Sequence, residues 1–263
     1  IVEMLSRLLP NEDEDVSSQL ERAFTRQGIK IITGTQVKAA TRTEDGLRLE
    51  IEGEEAATLE AERVLVAVGV RPNTQDLGLE EIGVELDRGF VTVDTSMATS
   101  VSGVYAIGDV TGKIPLAHVA QAQGVLAVER MAGLESPDLN YENMPRATYC
   151  NPQVASFGLT ESQARERGYD VKIGKFPFMA SGKARAIAET EGMVKVVADN
   201  SYGELLGVHM IGPDVTEMLG EASLGRLLEG TTHELGWLVH AHPTLSEALK
   251  EAALDADGQA IHI

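Results

Sequence analysis

The chain has 263 residues, 43% of them hydrophobic and 24% charged, with a formal net charge of −19. That length supports two domains with real cores, and no stretch approaches the roughly 20 apolar residues a spanning helix needs. So large an acidic excess argues against nucleic acid as a partner and for a solvated surface or a basic protein partner.

The chain opens on Ile-Val-Glu-Met-Leu, the end of an apolar strand already in progress, so the sequence is read as starting inside a domain. Between residues 11 and 28, Val16, Leu20, Ala23 and Phe24 recur at helical spacing. Acids crowd the first turn of this segment, arginines the last, and Gly28 stops it, as the helix dipole favours. A strand is expected at 29–32. Asp45-Gly46 turns a hairpin within residues 35–51. The unbroken apolar run at 63–69 reads as a strand covered on both faces, and the strand–helix–strand order points to a doubly wound sheet.

Residues 70–141 are rich in turn formers, with strands expected at 89–94 and 104–107 and a helix at 117–131. The polar stretch 133–145 is a domain boundary. Beyond it the pattern becomes antiparallel α+β: a helix at 160–167, strands at 193–198 and 205–211 joined by Asn200-Ser201-Tyr202-Gly203, and helices at 215–229 and 246–253. Cys150 is the single cysteine, which fits a reducing compartment; as a nucleophile it is unconvincing, and it is expected as a buried structural thiol.

Three clusters carry chemistry. In His240-Ala241-His242-Pro243-Thr244-Leu245-Ser246-Glu247, the carboxylate of Glu247 starts a helix within reach of the His242 imidazole. A carboxylate on one ring nitrogen fixes the tautomer and raises the basicity of the other, giving a base and its orienter. A structural role for both histidines, or a metal role lacking further ligands, are the competing readings. In Val104-Tyr105-Ala106-Ile107-Gly108-Asp109 a small-residue strand ends on a carboxylate, where open α/β sheets bind ligands, although Gly-Asp alone is a common turn. Glu3 is either an exposed acid after a strand or the acid that binds a dinucleotide's adenosine ribose.

His-Pro-Thr-x-x-Glu near the carboxy terminus resembles the acid–base pair of the pyridine nucleotide-disulfide oxidoreductase family. The longer form, His-Ala-His-Pro-Thr-Leu-Ser-Glu, is most like the branch that oxidises dihydrolipoamide. The resemblance implies that His242 takes the dithiol proton and Glu247 orients it, across a homodimer interface, with electrons passing through a disulfide and FAD to NAD. It implies Asp109 on the ribityl chain of FAD, and Pro115, Leu116, Ala117 and His118 along the flavin ring. Pro115 replaces the methionine of many relatives.

Glu3, Val37 and Gly69 would line the nicotinamide cofactor, Glu3 favouring NAD over NADP. The stretch 149–161 resembles the opening of the family's interface domain, with Thr160 as a helix cap. The expected architecture is α/β plus α+β. Partial Rossmann-like sheets, residues 1–69 of the NAD-binding and 70–141 of the FAD-binding domain, precede a dimerisation domain at 142–263.

The sequence has no Gly-x-Gly-x-x-Gly loop and no Cys-x-x-x-x-Cys pair, so the chain is read as a carboxy-terminal portion that does not turn over alone. The resemblance also implies a lipoyl domain and the acyltransferase core of a 2-oxo acid dehydrogenase complex as partners, in the cytoplasm. Glutathione reductase would bring NADP-selecting arginines, and mercuric reductase a terminal cysteine pair. A non-catalytic dimerisation module is the reading from another class.

Overall fold

A computed structural model describes residues 1–53 and 56–262. The chain forms two compact units, one made of residues 1–64 with 145–263 and the other of residues 65–144.

The first unit is built on a five-stranded antiparallel sheet in the order β6 (Arg146–Thr148), β7 (Gln153–Gly158), β10 (Leu205–Gly212), β9 (Met193–Asp199) and β8 (Val171–Pro177). Every residue of β9 and β10 is buried, which requires cover on both faces. On one face Val194, Val196, Val208 and Met210 pack against Met218, Leu219 and Ala222 of the α5 region and against Ala248, Leu249 and Ala252 of α7. Helix α5 spans Leu219–Leu227, α6 Thr232–Trp237 and α7 Glu247–Ala256. Gly174 of β8 is what lets α7 lie so close, since a Cβ there would stand 1.8 Å from the Ala252 carbonyl oxygen.

On the other face Val154, Met193 and Ile211 meet Val16 and Leu20 of α1 (Glu14–Arg26). Further along that face Val197 and Leu206 meet Ala164 of α3 (Glu161–Glu166). Thr160 caps α3 in a reciprocal box with Gln163, and the chain turns into it from β7.

Strand alternation places Lys195 on the α1 face, where its ammonium is buried against three carboxylates: Asp13 at 2.8 Å, Asp15 at 2.5 Å and Glu161 at 2.9 Å. Asp13 is also the N-cap of α1, accepting from the Asp15 amide. His209, opposite Lys195 on β10, is fully buried and bonds the Leu159 carbonyl at 2.9 Å. Burial holds its imidazole below the usual pKa, with Asp13 pulling the other way. Burial works against the charges on Asp13, Asp15 and Glu161, yet His209 and Lys195 at Asp13, Lys175 and Lys195 at Asp15, and Lys195 and Arg165 at Glu161 leave all three below the ordinary carboxylate range.

Residues 36–61 form the antiparallel sheet β1 (Gln36–Arg42), β2 (Leu47–Glu52) and β3 (Ala56–Ala61), with the expected turn at Asp45-Gly46. The doubly wound element is represented by one parallel bridge, Val2 to Ile32, rather than the continuous strand expected at 29–32. The second unit holds the short hairpin β4 (Leu86–Asp87) and β5 (Phe90–Val91) and helix α2 (Ala117–Met131).

Several expectations are corrected. Residues 63–69 form no strand, and Leu65 and Val68 are 91% and 93% exposed. An apolar run becomes a covered strand only when other strands flank it, and among the described residues none pairs with this one. The strand expected at 104–107 is reduced to a single antiparallel bridge between Ala98 and Tyr105. The helix expected at 215–229 starts only at Leu219, because Asp214 adopts φ 49° and tight turns occupy the intervening residues. Strand β3 was not anticipated from the sequence.

Replacing Lys195 by methionine keeps the stem but leaves the buried Asp13 carboxylate without its cation, and is expected to cost about 3–5 kcal/mol in urea unfolding. The three carboxylates ionise more readily in the folded chain than in the unfolded one. Their stabilisation is therefore complete above the unfolded carboxylate pKa, about 4, and is lost as pH falls through their folded values. The gap between wild type and K195M should narrow below about pH 4; a pH-independent gap would contradict the assignment.

Candidate active site and its family

The segment between α6 and α7 has no regular backbone pairing, so side chains must fix its shape. His242 Nδ1 lies 2.9 Å from Glu247 Oε1, and the Thr244 amide donates to Glu247 Oε2 at 2.8 Å. The Thr244 hydroxyl donates to the Ala241 carbonyl at 2.7 Å, closing the turn. The His242–Pro243 peptide bond within this turn is cis.

Glu247 is the first residue of α7, where a negative charge suits the helix dipole. Burial opposes its ionisation, but the Thr244 amide and the His242 ring hold it below the ordinary carboxylate range. An ionised carboxylate only accepts, so Nδ1 carries the ring proton and Nε2 is left with its lone pair. The His242 side chain is 77% exposed, so this nitrogen is available from outside. The pair lines a cleft of about 150 Å³ with Phe176, His240, Lys250 and Glu251. Chemically this arrangement, with its tautomer fixed, is able to serve as a general base.

His240, two residues earlier, is turned inward. Its Nε2 meets Glu221 Oε1 of α5 at 2.7 Å, and its Nδ1 meets the Leu238 carbonyl at 3.2 Å. Sequence reasoning singled out His240 but had no means of finding Glu221. The buried Glu251 of α7 was missed as well; it accepts from the amides of Ile261 and His262 and from the His262 ring, tying down the end of the chain.

In the second unit Asp109 is exposed in the one-turn 3₁₀ helix Gly108–Thr111. Gly108 has φ 75°, a backbone state that favours glycine, and a Cβ there would press on Ala120 at 3.3 Å. Its amide donates to the buried Gln123 of α2 at 2.6 Å, and Gln123 in turn donates to the Tyr141 hydroxyl at 3.0 Å. The Gly-Asp turn is thereby anchored to α2, whose amino-terminal residues Pro115, Leu116, Ala117 and His118 follow closely. Leu116 supplies no side-chain cap, the first turn holds no acid, and Pro115, Ala117 and His118 are exposed. Such a helix end presents its positive pole outward, suited to a group that gains negative charge.

The third set is less assembled. Glu3 is half-buried, and its Oε1 accepts from the Leu5 amide at 2.8 Å. Its carbonyl accepts from the Thr35 amide at 3.0 Å, which brings it near the start of β1, where Val37 is exposed opposite Ile51. Gly69, with φ 114°, lies in the exposed segment 63–69. Cys150 is half-buried rather than fully buried; its Sγ lies 3.1 Å from the Pro152 carbonyl, and burial raises its thiol pKa. It is a poor nucleophile in this setting.

Comparison with known proteins gives the class to which this fold belongs. The family described as pyridine nucleotide-disulphide oxidoreductase matches residues 1–124, and its dimerisation domain matches residues 144–253. The chain belongs to this family.

Among curated relatives it is 46% identical to a dihydrolipoyl dehydrogenase of Bacillus subtilis over the whole chain and 56% of that protein. It is 51% identical to one of Mycobacterium leprae over 95% of the chain and 54% of that protein. Among solved structures, LpdA from Mycobacterium tuberculosis superposes with a TM-score of 0.88 at 28% identity, covering 96% of this chain and 55% of that one. The HOCl-induced flavoprotein disulfide reductase RclA from Escherichia coli gives 0.87 at 26% identity, covering 96% and 58%. The chain thus spans little more than half the length of the relatives it matches.

The Glu247→Gln substitution tests the tautomer. To keep the bond from the Thr244 amide, the glutamine oxygen must face Thr244 and its NH₂ must face His242. Nδ1 then becomes an acceptor and the ring proton moves to Nε2. Long-range ¹H–¹⁵N spectra of the labelled chain should show His242 as the Nδ1–H form in the wild type and the Nε2–H form in E247Q. Identical tautomers in both would contradict the pairing.

Proposed function

We propose that this chain is a portion of a dihydrolipoamide dehydrogenase, an NAD-dependent flavoprotein that oxidises dihydrolipoamide to lipoamide. The observation that carries the reading is the 2.9 Å bond between His242 and Glu247, which leaves Nε2 basic and exposed. In this role His242 Nε2 accepts the proton of a substrate thiol, so that the thiolate can attack a disulfide. Nδ1–H stays bonded to Glu247, whose negative charge stabilises the imidazolium formed. Overall the dithiol loses two electrons and two protons, and its two sulfurs become joined.

With one cysteine in the chain, the attacked disulfide is supplied from outside these 263 residues. FAD, when bound, supplies the two-electron chemistry linking disulfide to NAD. Asp109 is assigned to its ribityl hydroxyls, and Pro115, Leu116, Ala117 and His118 to the edge of its ring, where the uncapped start of α2 favours negative charge. Glu3, Val37 and Gly69 are assigned to NAD, the acid at Glu3 disfavouring a 2′-phosphate. We divide the chain accordingly into residues 1–69 of an NAD-binding domain, 70–141 of an FAD-binding domain, and a dimerisation domain at 142–263.

The partner of that last domain is a second copy of the chain. Leu224, Leu227 and Leu228 of the α5 region are exposed, as are Trp237 and Val239, apolar surface suited to self-association. The wider assembly is a 2-oxo acid dehydrogenase complex, with a lipoyl domain and acyltransferase core as partners, in the cytoplasm. No described helix is long and apolar enough to cross a membrane. A second reading, a dimerisation module without catalysis, is favoured by the single cysteine and by this same apolar surface.

Flavin absorbance, intact mass and light scattering on one sample of the purified chain test the reading. A flavin-free dimer at the mass of 263 residues that does not turn over dihydrolipoamide is expected; robust turnover by that species would contradict it. In a flavoprotein that contains this chain, His242→Gln should lower kcat/KM for dihydrolipoamide by about 10²- to 10⁴-fold. Unchanged turnover would leave the dimerisation module as the better reading.

A further inference from the structure

Two of the histidines that line the cleft, His240 and His242, are in opposite situations. The His242 side chain is 77% exposed, whereas that of His240 is 6% exposed and both of its ring nitrogens are engaged. The Leu238 carbonyl can only accept, so Nδ1 of His240 carries a hydrogen. A carboxylate oxygen stands 2.7 Å from Nε2. Two lone pairs at that distance would repel, so a proton lies between them, and the Glu221 contact favours placing it on the ring.

This contact also joins two elements that otherwise meet the segment from different sides. Glu221 is in the first turn of α5, whereas Glu247 starts α7. Residues 238–243, which carry His242, run between the two.

We propose that His240, clamped between Glu221 and the Leu238 carbonyl, is a positioning residue that fixes the backbone presenting His242 to Glu247. The proposal rests on the reading of His242 and Glu247 as the acid–base pair. The charged and titratable groups around His240 are Glu221 from α5, Glu247, Lys250 and Glu251 from α7, His242 from its own segment, and His262 from the end of the chain. Glu221 raises the His240 pKa against the effect of burial, and the charge so retained helps hold Glu247 in its ionised form. The clamp thus supports the pair twice, once by geometry and once by charge.

Long-range ¹H–¹⁵N spectra of the intact labelled chain read the tautomer and titration of each ring without requiring turnover. His240 should show both nitrogens protonated near neutral pH, and His242 the Nδ1–H form. Glu221→Ala releases His240 at an accessible helix position, and His240→Gln removes the ring. In each the Nδ1–H to Nε2–H ratio of His242 should fall by up to about tenfold, the worth of one hydrogen bond. Glu221→Gln can still tether a neutral His240 by donating to Nε2, and should restore most of the ratio.

Circular dichroism confirms that each variant is folded. If His240→Gln does not fold, the Glu221 pair decides alone. An unchanged His242 ratio in folded E221A overturns the proposal. Loss of the ratio in E221A without recovery in E221Q overturns the geometric part of it. In a flavoprotein containing the chain, E221A should lower kcat for dihydrolipoamide more than it alters KM. If His242→Gln leaves turnover intact, the acid–base reading fails, while the tautomer ratios still decide whether His240 positions the ring.

Discussion

One ammonium group, that of Lys195, holds the two layers of the first unit in register. It is 2% exposed on a central strand, in a place where an isolated charge would be prohibitively costly. Three carboxylates make it tolerable, and they come from two elements far away in sequence: Asp13 and Asp15 open α1, and Glu161 opens α3. Both helices therefore point their amino-terminal ends at the same spot on the sheet. Replacing such a cluster by apolar side chains can leave a protein as stable or more so, so the cluster's distinctive contribution is specificity of docking. Slippage of α1 along the sheet would strand a buried charge, whereas slippage of Val16 and Leu20 over Val154 and Ile211 alone would cost far less.

The opposite face of the same sheet places the chemistry. There α7 lies on β8 at a separation that only Gly174 permits, and its first residue is Glu247. The carboxylate that orients His242 is thus fixed by helix packing rather than by the loop. The loop contributes His242 itself and is tied down at Thr244, Ala241 and His240. The geometry of the His242–Glu247 pair is set here by a rigid helix on one side and a short, heavily bonded turn on the other.

What the sequence made legible follows from how local each signal is. Helix α2 was read to its end residues because its limits are marked by Pro115 and Gly133. The Asp45-Gly46 turn fixed its hairpin, and Thr160 fixed the start of α3, for the same reason. Residues 63–69 show the converse. Their pattern is that of a covered strand, but a strand depends on its neighbours, and in the described residues this one has none. The Lys195 cluster was illegible because its partners lie 182 and 180 residues away, and each acid alone looks like an ordinary solvated charge. At the site, His242 and Glu247 could be paired from their spacing within one turn and helix start. Glu221 could not, since nothing in the sequence says which face of α5 looks toward residue 240.

The contrast between the two histidines also bears on why the working one is so exposed. A general base gains from a dry, enclosed setting, which strengthens its hydrogen bonds and excludes competing water. Within the first unit the orienting side of His242 comes nearer to that setting, with the partly exposed Glu247 held by the Thr244 amide. Its basic side does not; Nε2 looks outward from a cleft too small to enclose a substrate. A base finished on one side only is suited to a site whose other wall is a separate surface. The exposed apolar residues Leu224, Leu227, Leu228, Trp237 and Val239 lie in the same stretch of chain. Their burial against a second copy would supply both the wall and the exclusion of water.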